Sequence, residues 1–270
     1  VQQNIHILSD RGAHFIGPGS GVLACKTVGE GRMIEPQEVV DAALSLLNKQ
    51  SDLAGKKILI TSGANHEPID PVRFIGNRSS GKMGRAIAQE AVLRGAEVTV
   101  ITGPADVPPP ASSNVIEIQT AQEMYDAVMQ HLPEADIIIG AAAVSDYRVE
   151  NPTGHKQKRN GSGLHLDLTE NPDIIAAVGA QKRSDQLVIG FAAETNDLIA
   201  NAQAKLKKKN LDMIVANTVG TPDSGFGSET TDARFIFSNG TIDEHPLMKK
   251  TQLAERLMTQ IVELLNARAN

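Results

Sequence analysis

The chain has 270 residues, a net charge of −6 and a hydrophobic fraction of 41%. This length allows one large domain with a well-buried core. The apolar runs are too short to cross a membrane, so the sequence predicts a soluble protein. The negative charge argues against a broad nucleic-acid or membrane surface, because both need an excess of Lys and Arg. The single cysteine excludes an internal disulfide and favours the cytoplasm.

The first 50 residues differ in pattern from the rest of the chain. They are rich in glycine and contain one predicted helix, which opens at Glu35 and Pro36 and places Val39 and Ala43 on one face. Residues 51–56 are typical of a linker. We therefore predict three parts, which are a small segment (1–50), the linker (51–56) and a main domain (57–270).

In the main domain, short apolar runs alternate with helical stretches. The predicted strands are 58–61, 98–102, 115–118, 137–141, 187–191 and 213–216. The predicted helices are 83–94, 121–132, 173–182, 197–209 and a closing helix at about 249–267. This alternation predicts an α/β fold with a doubly wound, mostly parallel, Rossmann-like sheet and helices on both faces. An Asn-Gly turn between residues 233–237 and 241–244 predicts a late β-hairpin.

Ligands of such sheets bind beyond the carboxyl ends of the strands, so the segments after the strands are the candidate sites. The run from Gly76 to Lys82 fits the first seven positions of a P-loop, but Met83 stands where the metal-binding hydroxyl is needed. The run also follows its strand only after a long insertion. We therefore reject a P-loop, and keep Ser79 and Ser80 as either a phosphate site at a helix start or a simple N-cap.

Three further segments carry candidate chemistry. Gly140 and the small residues after it allow either close approach of a ligand or close packing of a helix on a strand. Residues 150–163 are polar, carry Lys156, Lys158 and Arg159, and are typical of a flap that closes over a site. Phe191 ends a predicted strand, where it packs either on a base or in the core.

A set of motifs along the chain resembles one family. These motifs are DPVRFIGNRSSGKMG from Asp70, AAAVSDYR, the 156–159 flap, NPDI from Asn171, GFAAET from Gly190, and KKNLD followed by ANTV. Their order and combination resemble bacterial phosphopantothenoylcysteine synthetase, a CTP-dependent phosphopantothenate–cysteine ligase. The short segment around Cys25 resembles the C-terminal tail of the flavin-dependent decarboxylase that precedes the synthetase in the bifunctional coenzyme A biosynthesis proteins.

The resemblance implies roles for individual residues. Asn77 and Arg73 would hold phosphopantothenate, and Asn77 and Lys156 would be catalytic. The residues implied to bind CTP are Gly140, Ala141, Ala142, Asp146, Lys156, Pro172, Asp173, Ile174, Ile175, Phe191, Lys205 and Lys209. Cys25 would be the vestigial proton donor of the decarboxylase.

The resemblance also implies a reaction and partners. The carboxylate of 4'-phosphopantothenate would attack CTP to give an acyl-cytidylate and pyrophosphate, and the amine of L-cysteine would then displace CMP. Mg²⁺ would accompany the CTP phosphates, and the protein would be a homodimer without nucleic-acid or membrane partners. FMN would belong only to the absent decarboxylase part, so decarboxylase activity is not expected.

Two other functions share this sheet class. One is an NAD(P)-dependent reductase or epimerase, which needs a Gly-x-Gly-x-x-Gly turn directly after the first strand, and the sequence lacks that turn. The other is a non-catalytic nucleotide-binding module. Dependence of pyrophosphate release on both CTP and phosphopantothenate would distinguish the ligase from such a module.

Overall fold

The chain forms two compact units, Val1–Lys49 and Gln50–Asn270. The computed structural model describes residues 2–22, 27–47, 51–158, 163–194, 197–218, 225 and 227–269. In the part of the chain that the structure describes, no helix is both long and apolar enough to cross a bilayer.

The described residues of the smaller unit form two helices and one antiparallel pair of strands. Its elements are α1 (Gln2–Asp10), β1 (Gly19–Val22), β2 (Val28–Arg32) and α2 (Pro36–Leu47). The prediction of a single helix in this segment is therefore wrong. Helix α1 gave little periodic signal, because only Ile5, Ile7 and Leu8 are apolar within it, and Ile7 and Leu8 are exposed. The assignment of this segment to a decarboxylase tail stays a prediction.

The larger unit contains the remaining strands and helices. Its strands are β3 (Lys57–Ser62), β4 (His66–Pro68), β5 (Phe74–Gly76), β6 (Glu97–Thr102), β7 (Asn114–Glu117), β8 (Ile137–Gly140), β9 (Tyr147–Val149), β10 (Leu168–Glu170), β11 (Leu187–Glu194), β12 (Met213–Thr218), β13 (Thr230–Phe237) and β14 (Ile242–Lys249). Its helices are α3 (Lys82–Leu93), α4 (Ala121–His131), α5 (Ile174–Gln181), α6 (Leu198–Lys208) and α7 (Lys250–Ala269), with a 3₁₀ turn at Leu132–Glu134.

Eight strands form one central sheet in the order β14-β13-β12-β11-β8-β3-β6-β7. The pairs from β12 across to β7 are parallel, whereas β13 runs antiparallel to both of its neighbours. The chain builds outward from β3 through β6 to β7 and then returns to β8 on the other side of β3. The prediction of a doubly wound, mostly parallel α/β sheet is confirmed.

The core lies on both faces of this sheet. Along β3, Ile58 and Ile60 belong to one buried cluster with α3 and α7, while Leu59 belongs to a second cluster with α4, α5 and α6. Alternate side chains of a strand point to opposite faces, so a strand covered on both faces is apolar at every position. This explains why the central strands appear in the sequence as continuous apolar runs.

Two small antiparallel sheets interrupt the loops that follow β3 and β8. One pairs β4 with β5 and the other pairs β9 with β10, each over three residues. They contribute exposed apolar side chains at Phe74, Tyr147 and Leu168, and the His66 ring stacks on Phe74 at a centroid distance of 3.6 Å. No strand was predicted in either loop, so the sequence did not reveal these sheets.

Candidate functional site

A cavity of about 700 Å³ lies at the carboxyl ends of β3, β8 and β11. The strand order reverses between β3 and β8, so the loops that follow these two strands run to opposite sides and leave a crevice between them. Doubly wound sheets bind their ligands in such a crevice. The start of α3, the start of α5, the end of α6 and the start of α7 complete the wall. The site predicted from the sequence lies in this region.

The loop after β8 is fixed by hydrogen bonds to β3. The Ala141 amide donates to the Thr61 carbonyl oxygen at 3.1 Å, and the Ala143 amide donates to the Gly63 carbonyl oxygen at 2.9 Å. A side chain at Gly140 would overlap Ile175, whose Cγ1 would lie 2.5 Å from an added Cβ. Gly140 therefore allows close packing of α5 on β8, which was one of the two interpretations left open by the sequence.

Three asparagines hold the next part of the same loop. The Asn77 Nδ2 group donates to the carbonyl oxygens of Ala143 and Val144 at 3.3 and 3.0 Å. The Asn65 Oδ1 atom accepts the Ser145 amide at 2.6 Å, and the Asn171 Nδ2 group donates to the Ser145 carbonyl oxygen at 2.9 Å. The structure thus uses Asn77 to position the loop.

Asn65 was missed by the sequence analysis, although it is fully buried. Its amide donates to the buried Glu67 carboxylate, and Glu67 in turn accepts the Ala121 amide at 2.7 Å. The two side chains therefore connect the loop after β3 to the start of α4. The backbone amides that they accept, those of Ser145 and Ala121, are distant in sequence, so no local pattern identifies them.

Arg73 and Lys156 are not among the described residues that line the cavity. Arg73 forms an ion pair of 2.5 Å with the buried carboxylate of Asp70, and its guanidinium holds the pKa of that carboxyl well below the usual range. Asp70 also accepts the Gln157 amide at 3.2 Å. This contact connects the flap beside Lys156 to the loop after β3.

Among the residues that the structure describes, four lysines line the cavity. Lys205 pairs with Glu194 at 2.6 Å, and Lys209 pairs with Asp173 at 3.0 Å. Lys82 pairs with Glu229 at 2.6 Å, and the Lys250 ammonium donates to the carbonyl oxygen of Gly225 at 3.1 Å. Lys205 lies on α6 and Lys209 directly follows it, and their role in binding a ligand stays a prediction. Lys82 and Lys250 were not predicted as ligands.

The remaining predicted residues lie in the same wall. The residues Ala142, Asp146, Pro172, Asp173, Ile174, Ile175 and Phe191 all line the cavity. Phe191 also packs against the core cluster under α3 and α7, which confirms the interpretation as a core residue, whereas its packing on a base stays a prediction. Asp173 accepts the Ala176 amide at 3.1 Å and caps α5.

Two predictions fall outside the described residues, namely those for Cys25 and Arg159. Within the described ranges, no group of three or more His, Cys, Asp or Glu side chains is arranged to hold a metal ion. The described wall of the cavity includes four lysines and the starts of α3 and α5, which suit a phosphate-bearing organic ligand, beside the carboxylates of Asp146, Glu170 and Asp173.

Comparison with known proteins identifies relatives over almost the whole chain. The family model for the DNA/pantothenate metabolism flavoprotein C-terminal domain matches residues 53–265. A protein named Cysteine/Cysteine sulfinic acid decarboxylase, from an unknown prokaryotic organism, is 42% identical over 98% of this chain and 76% of its own length. The Escherichia coli (strain K12) coenzyme A biosynthesis bifunctional protein CoaBC is 41% identical over 97% of this chain.

The crystal structure of the C-terminal domain of a CoaBC protein has the same fold. It is 38% identical, with a TM-score of 0.69, and the match covers 81% of this chain and 100% of that domain. The chain spans only 65% of the length of the Escherichia coli CoaBC protein.

These findings contradict the prediction of a CTP-dependent phosphopantothenate–cysteine ligase. The matching family is described as a flavoprotein domain, and the relative at 42% identity is named as a decarboxylase. On these findings the ligase prediction is wrong, and so is the expectation that decarboxylase activity is absent. CTP and Mg²⁺ have no support from the comparisons, and neither the reductase nor the non-catalytic module fits them better.

The resemblance is confirmed at a coarser level. The relatives include bifunctional proteins of coenzyme A biosynthesis, and the match to the family model covers most of the larger unit. The fold, the position of the cavity and the extent of the match agree with one another. The chain therefore belongs to the family of the DNA/pantothenate metabolism flavoprotein C-terminal domain.

Proposed function

We propose that this chain acts in coenzyme A biosynthesis, within a protein of the CoaBC type, by binding a phosphate-bearing mononucleotide at the carboxyl edge of its sheet. The observation that carries the proposal is the cavity of about 700 Å³ at the point where the sheet changes direction, with lysines on its wall. A cavity of this size is within the range that encloses a ligand of mononucleotide size.

The phosphate contacts would come from α6 and from the start of α3. Lys205 and Lys209 reach the cavity from α6, where each is paired with a single carboxylate. Gly81 is the N-cap residue that precedes α3; it has a φ of 77° and provides no side-chain cap. Its first amide groups therefore remain available to an anion, and the helix dipole favours negative charge there.

Flavin mononucleotide is the first ligand to consider, because the family is described as a flavoprotein domain. The described residues fit its phosphate, since Lys205, Lys209 and the uncapped start of α3 line the cavity. The flavin, when bound, would supply a hydride acceptor. Decarboxylation, which the name of one relative states, is the activity to measure in the whole CoaBC-type protein.

Calorimetric titration tests the proposal with matched pairs of ligands. FMN is compared with riboflavin, and CTP with cytidine, so that each pair differs only in its phosphates. We expect the phosphorylated member of at least one pair to bind at least tenfold more tightly, because charge-assisted hydrogen bonds are stronger than neutral ones. Preference for FMN supports the flavin, whereas binding of CTP alone rejects the flavin and retains the mononucleotide.

Two variants locate the binding. Lys205→Gln removes a cation that lines the cavity, whereas Lys208→Gln removes an exposed cation from the same helix. The first should weaken binding of the phosphorylated ligand by about tenfold, and the second should leave it unchanged. Equal binding of phosphorylated and dephosphorylated ligands, or equal effects of the two variants, would overturn the proposal.

We further propose that the chain forms a homodimer through the two small sheets. Phe74 is 51% exposed, and Tyr147 and Leu168 are each 49% exposed, so an apolar surface is left next to the cavity, which Tyr147 also lines. A second copy would remove this surface from water. Sedimentation should show a dimer that Phe74→Glu dissociates, and a wild-type monomer at micromolar concentration would reject this proposal.

A further inference from the structure

A groove of about 430 Å³ lies between one side of α7 and β14, which is an edge strand of the central sheet. Within the described ranges, it has no lining residue in common with the cavity at the carboxyl ends of the strands. A volume of this size is within the range that holds a small organic molecule. The groove is therefore a second candidate site, independent of the proposed mononucleotide.

A bulge in β14 brings three of its side chains to the groove. His245 lies opposite Ala233 of β13, but Met248 lies opposite Thr231, so β14 has one more residue than β13 between these two pairs. Alternate residues of a regular strand point to opposite faces, and one extra residue returns a later side chain to the first face. The side chains that β14 contributes are therefore Asp243, His245 and Met248. Pro246 lies inside the bulge and has no backbone N–H, which disfavours pairing of another strand with this edge.

Helix α7 forms the other wall of the groove. Its contributing residues recur at intervals of three and four, as expected for one side of a helix, and they are Gln252, Glu255, Arg256, Thr259 and Gln260. Leu253 and Leu257, on the adjacent side of α7, are buried against the sheet. Glu255 and Arg256 are exposed, and in the part of the chain that the structure describes neither side chain forms an ion pair or a hydrogen bond. Both charges are therefore available to a ligand.

His245 is buried beside these charges without a hydrogen bond. Its side chain is 4% exposed, and neither ring nitrogen has a hydrogen-bond partner among the described residues. The Asp243 carboxylate lies 3.1 Å from Nε2, but not in the geometry of a hydrogen bond. Burial lowers the pKa of the ring, Asp243 raises it and Arg256 lowers it, so at pH 7 the neutral ring has one N–H donor and one acceptor. Buried polar groups nearly always have partners, so these two nitrogens point to a ligand.

We propose that this groove binds a small zwitterion of the amino-acid type. The ammonium group of the ligand lies at the carboxylates of Asp243 and Glu255, and its carboxylate lies at the Arg256 guanidinium. The His245 ring completes the hydrogen bonds with its two nitrogens, and Met248 contacts the apolar part of the ligand. A simple amine would leave Arg256 unpaired, and a simple acid would leave the two carboxylates unpaired. A ligand with both charges satisfies both kinds of group.

Three compounds with related carbon chains test the proposal. They are L-norvaline, n-butylamine, which lacks the carboxylate of norvaline, and pentanoate, which lacks its amine. Each is titrated into the protein while NMR follows the ring signals of His245. Norvaline should shift these signals and bind at least tenfold more tightly than the other two compounds, because it alone forms charge-assisted hydrogen bonds at both ends. The His131 ring is an internal reference that should not respond, because its Nδ1 atom already donates to the Ala127 carbonyl oxygen at 2.9 Å.

Substitutions assign the two charges of the ligand. Asp243→Asn and Arg256→Gln should each weaken norvaline binding by about tenfold, and Arg256→Gln should also abolish the difference between norvaline and butylamine. Glu244→Gln is the matched control, because it removes an exposed carboxylate next to Asp243 that does not line the groove. His245→Phe removes both ring nitrogens, retains a ring against Phe235 and should also weaken binding. If His245→Phe does not fold, Asp243→Asn still decides, because the Asp243 side chain is 48% exposed.

An unchanged His245 spectrum with all three compounds would overturn the proposal. Butylamine or pentanoate binding as tightly as norvaline would also overturn it, because one of the two charges would then go unrecognised. Weak binding of norvaline that is equal in the wild type and all variants would reject the site as holding an adventitious additive only. None of these results bears on the mononucleotide titrations, because those report on the separate cavity.

Discussion

Replacing Gly179 by Ala should disturb the site from a distance. Gly179 lies in α5, where the last turn of α6 crosses it, and an added Cβ would overlap the carbonyl oxygen of Lys209 and lie 3.0 Å from its carbonyl carbon. The Asn210 Nδ2 group also donates to the Gly179 carbonyl oxygen at 2.8 Å. The obstacle is backbone, so α6 itself must move, and Lys209 moves with it.

The size of the effect follows from two opposing contributions. In a helix that is free of such contacts, replacing Gly by Ala stabilises the protein by about 1 kcal/mol. Overpacking of a close contact costs about 1–3 kcal/mol and occasionally more, and the direct overlap with backbone places Gly179 at the upper end. We expect a net loss of about 2 kcal/mol, which corresponds to a fall in Tm of roughly 4–8 °C for a unit of this size.

Thermal and urea unfolding measure the loss, and titration with the phosphorylated ligand measures the displacement of Lys209. Ala180→Gly is the matched control, because it changes the neighbouring exposed position of α5. It should cost about 1 kcal/mol from helix propensity and leave ligand affinity unchanged. A Gly179→Ala protein that is as stable as the wild type, with unaltered affinity, would show that the added methyl group fits without a shift of Lys209.

Three other substitutions test contacts outside the cavity. Thr120→Ala removes the capping box of α4 and should lower the free energy of unfolding in urea by about 1 kcal/mol. An unchanged urea midpoint would show that the capping box does not stabilise the protein. Asp212→Ala leaves Lys182 and Arg268 without the carboxylate that they share and should lower the free energy of unfolding by about 3–5 kcal/mol. Asp212→Asn should lower it less, because the amide retains a hydrogen-bond acceptor. Asp70 has a lowered pKa, chiefly because of Arg73, so its carboxylate stabilises the protein fully above its unfolded pKa of about 3.9. This stabilisation is lost as the pH falls through the folded pKa, so the stability difference between wild type and Asp70→Asn should shrink below about pH 4, and a constant difference would contradict the assignment.

The central sheet could be predicted because its strands are buried on both faces. Residues 137–141 show the principle, since every side chain of β8 is buried and the apolar run nearly coincides with the strand. Strands β4 and β5 could not be predicted in this way. In β4 the buried side chain is the carboxylate of Glu67, whereas in β5 the aromatic side chain of Phe74 is exposed. A hydrophobicity pattern predicts the reverse, with the charged residue exposed and the aromatic residue buried.

The site was predictable in position but not in its contacts. Small residues after β8 indicated the loop, whereas only the three-dimensional distance to Ile175 showed what Gly140 does. Asn65 binds a backbone amide 80 residues away, and such long-range partners leave no periodic signal. Lys250 belongs to an amphipathic helix with a Lys at the preceding position, so in the sequence it looks like a solvated charge.

The position of α7 in the chain determines when one face of the sheet is covered during synthesis. Leu253, Leu257 and Ile261 of this helix are buried against one face of the sheet, yet α7 is synthesised after all of the strands. During translation, the apolar part of that face that α3 does not cover therefore stays exposed to water until the twenty residues of α7, Lys250–Ala269, leave the ribosome. A nascent chain stalled before Lys250 should consequently recruit chaperones and be sensitive to proteolysis, whereas one released after α7 should resist both.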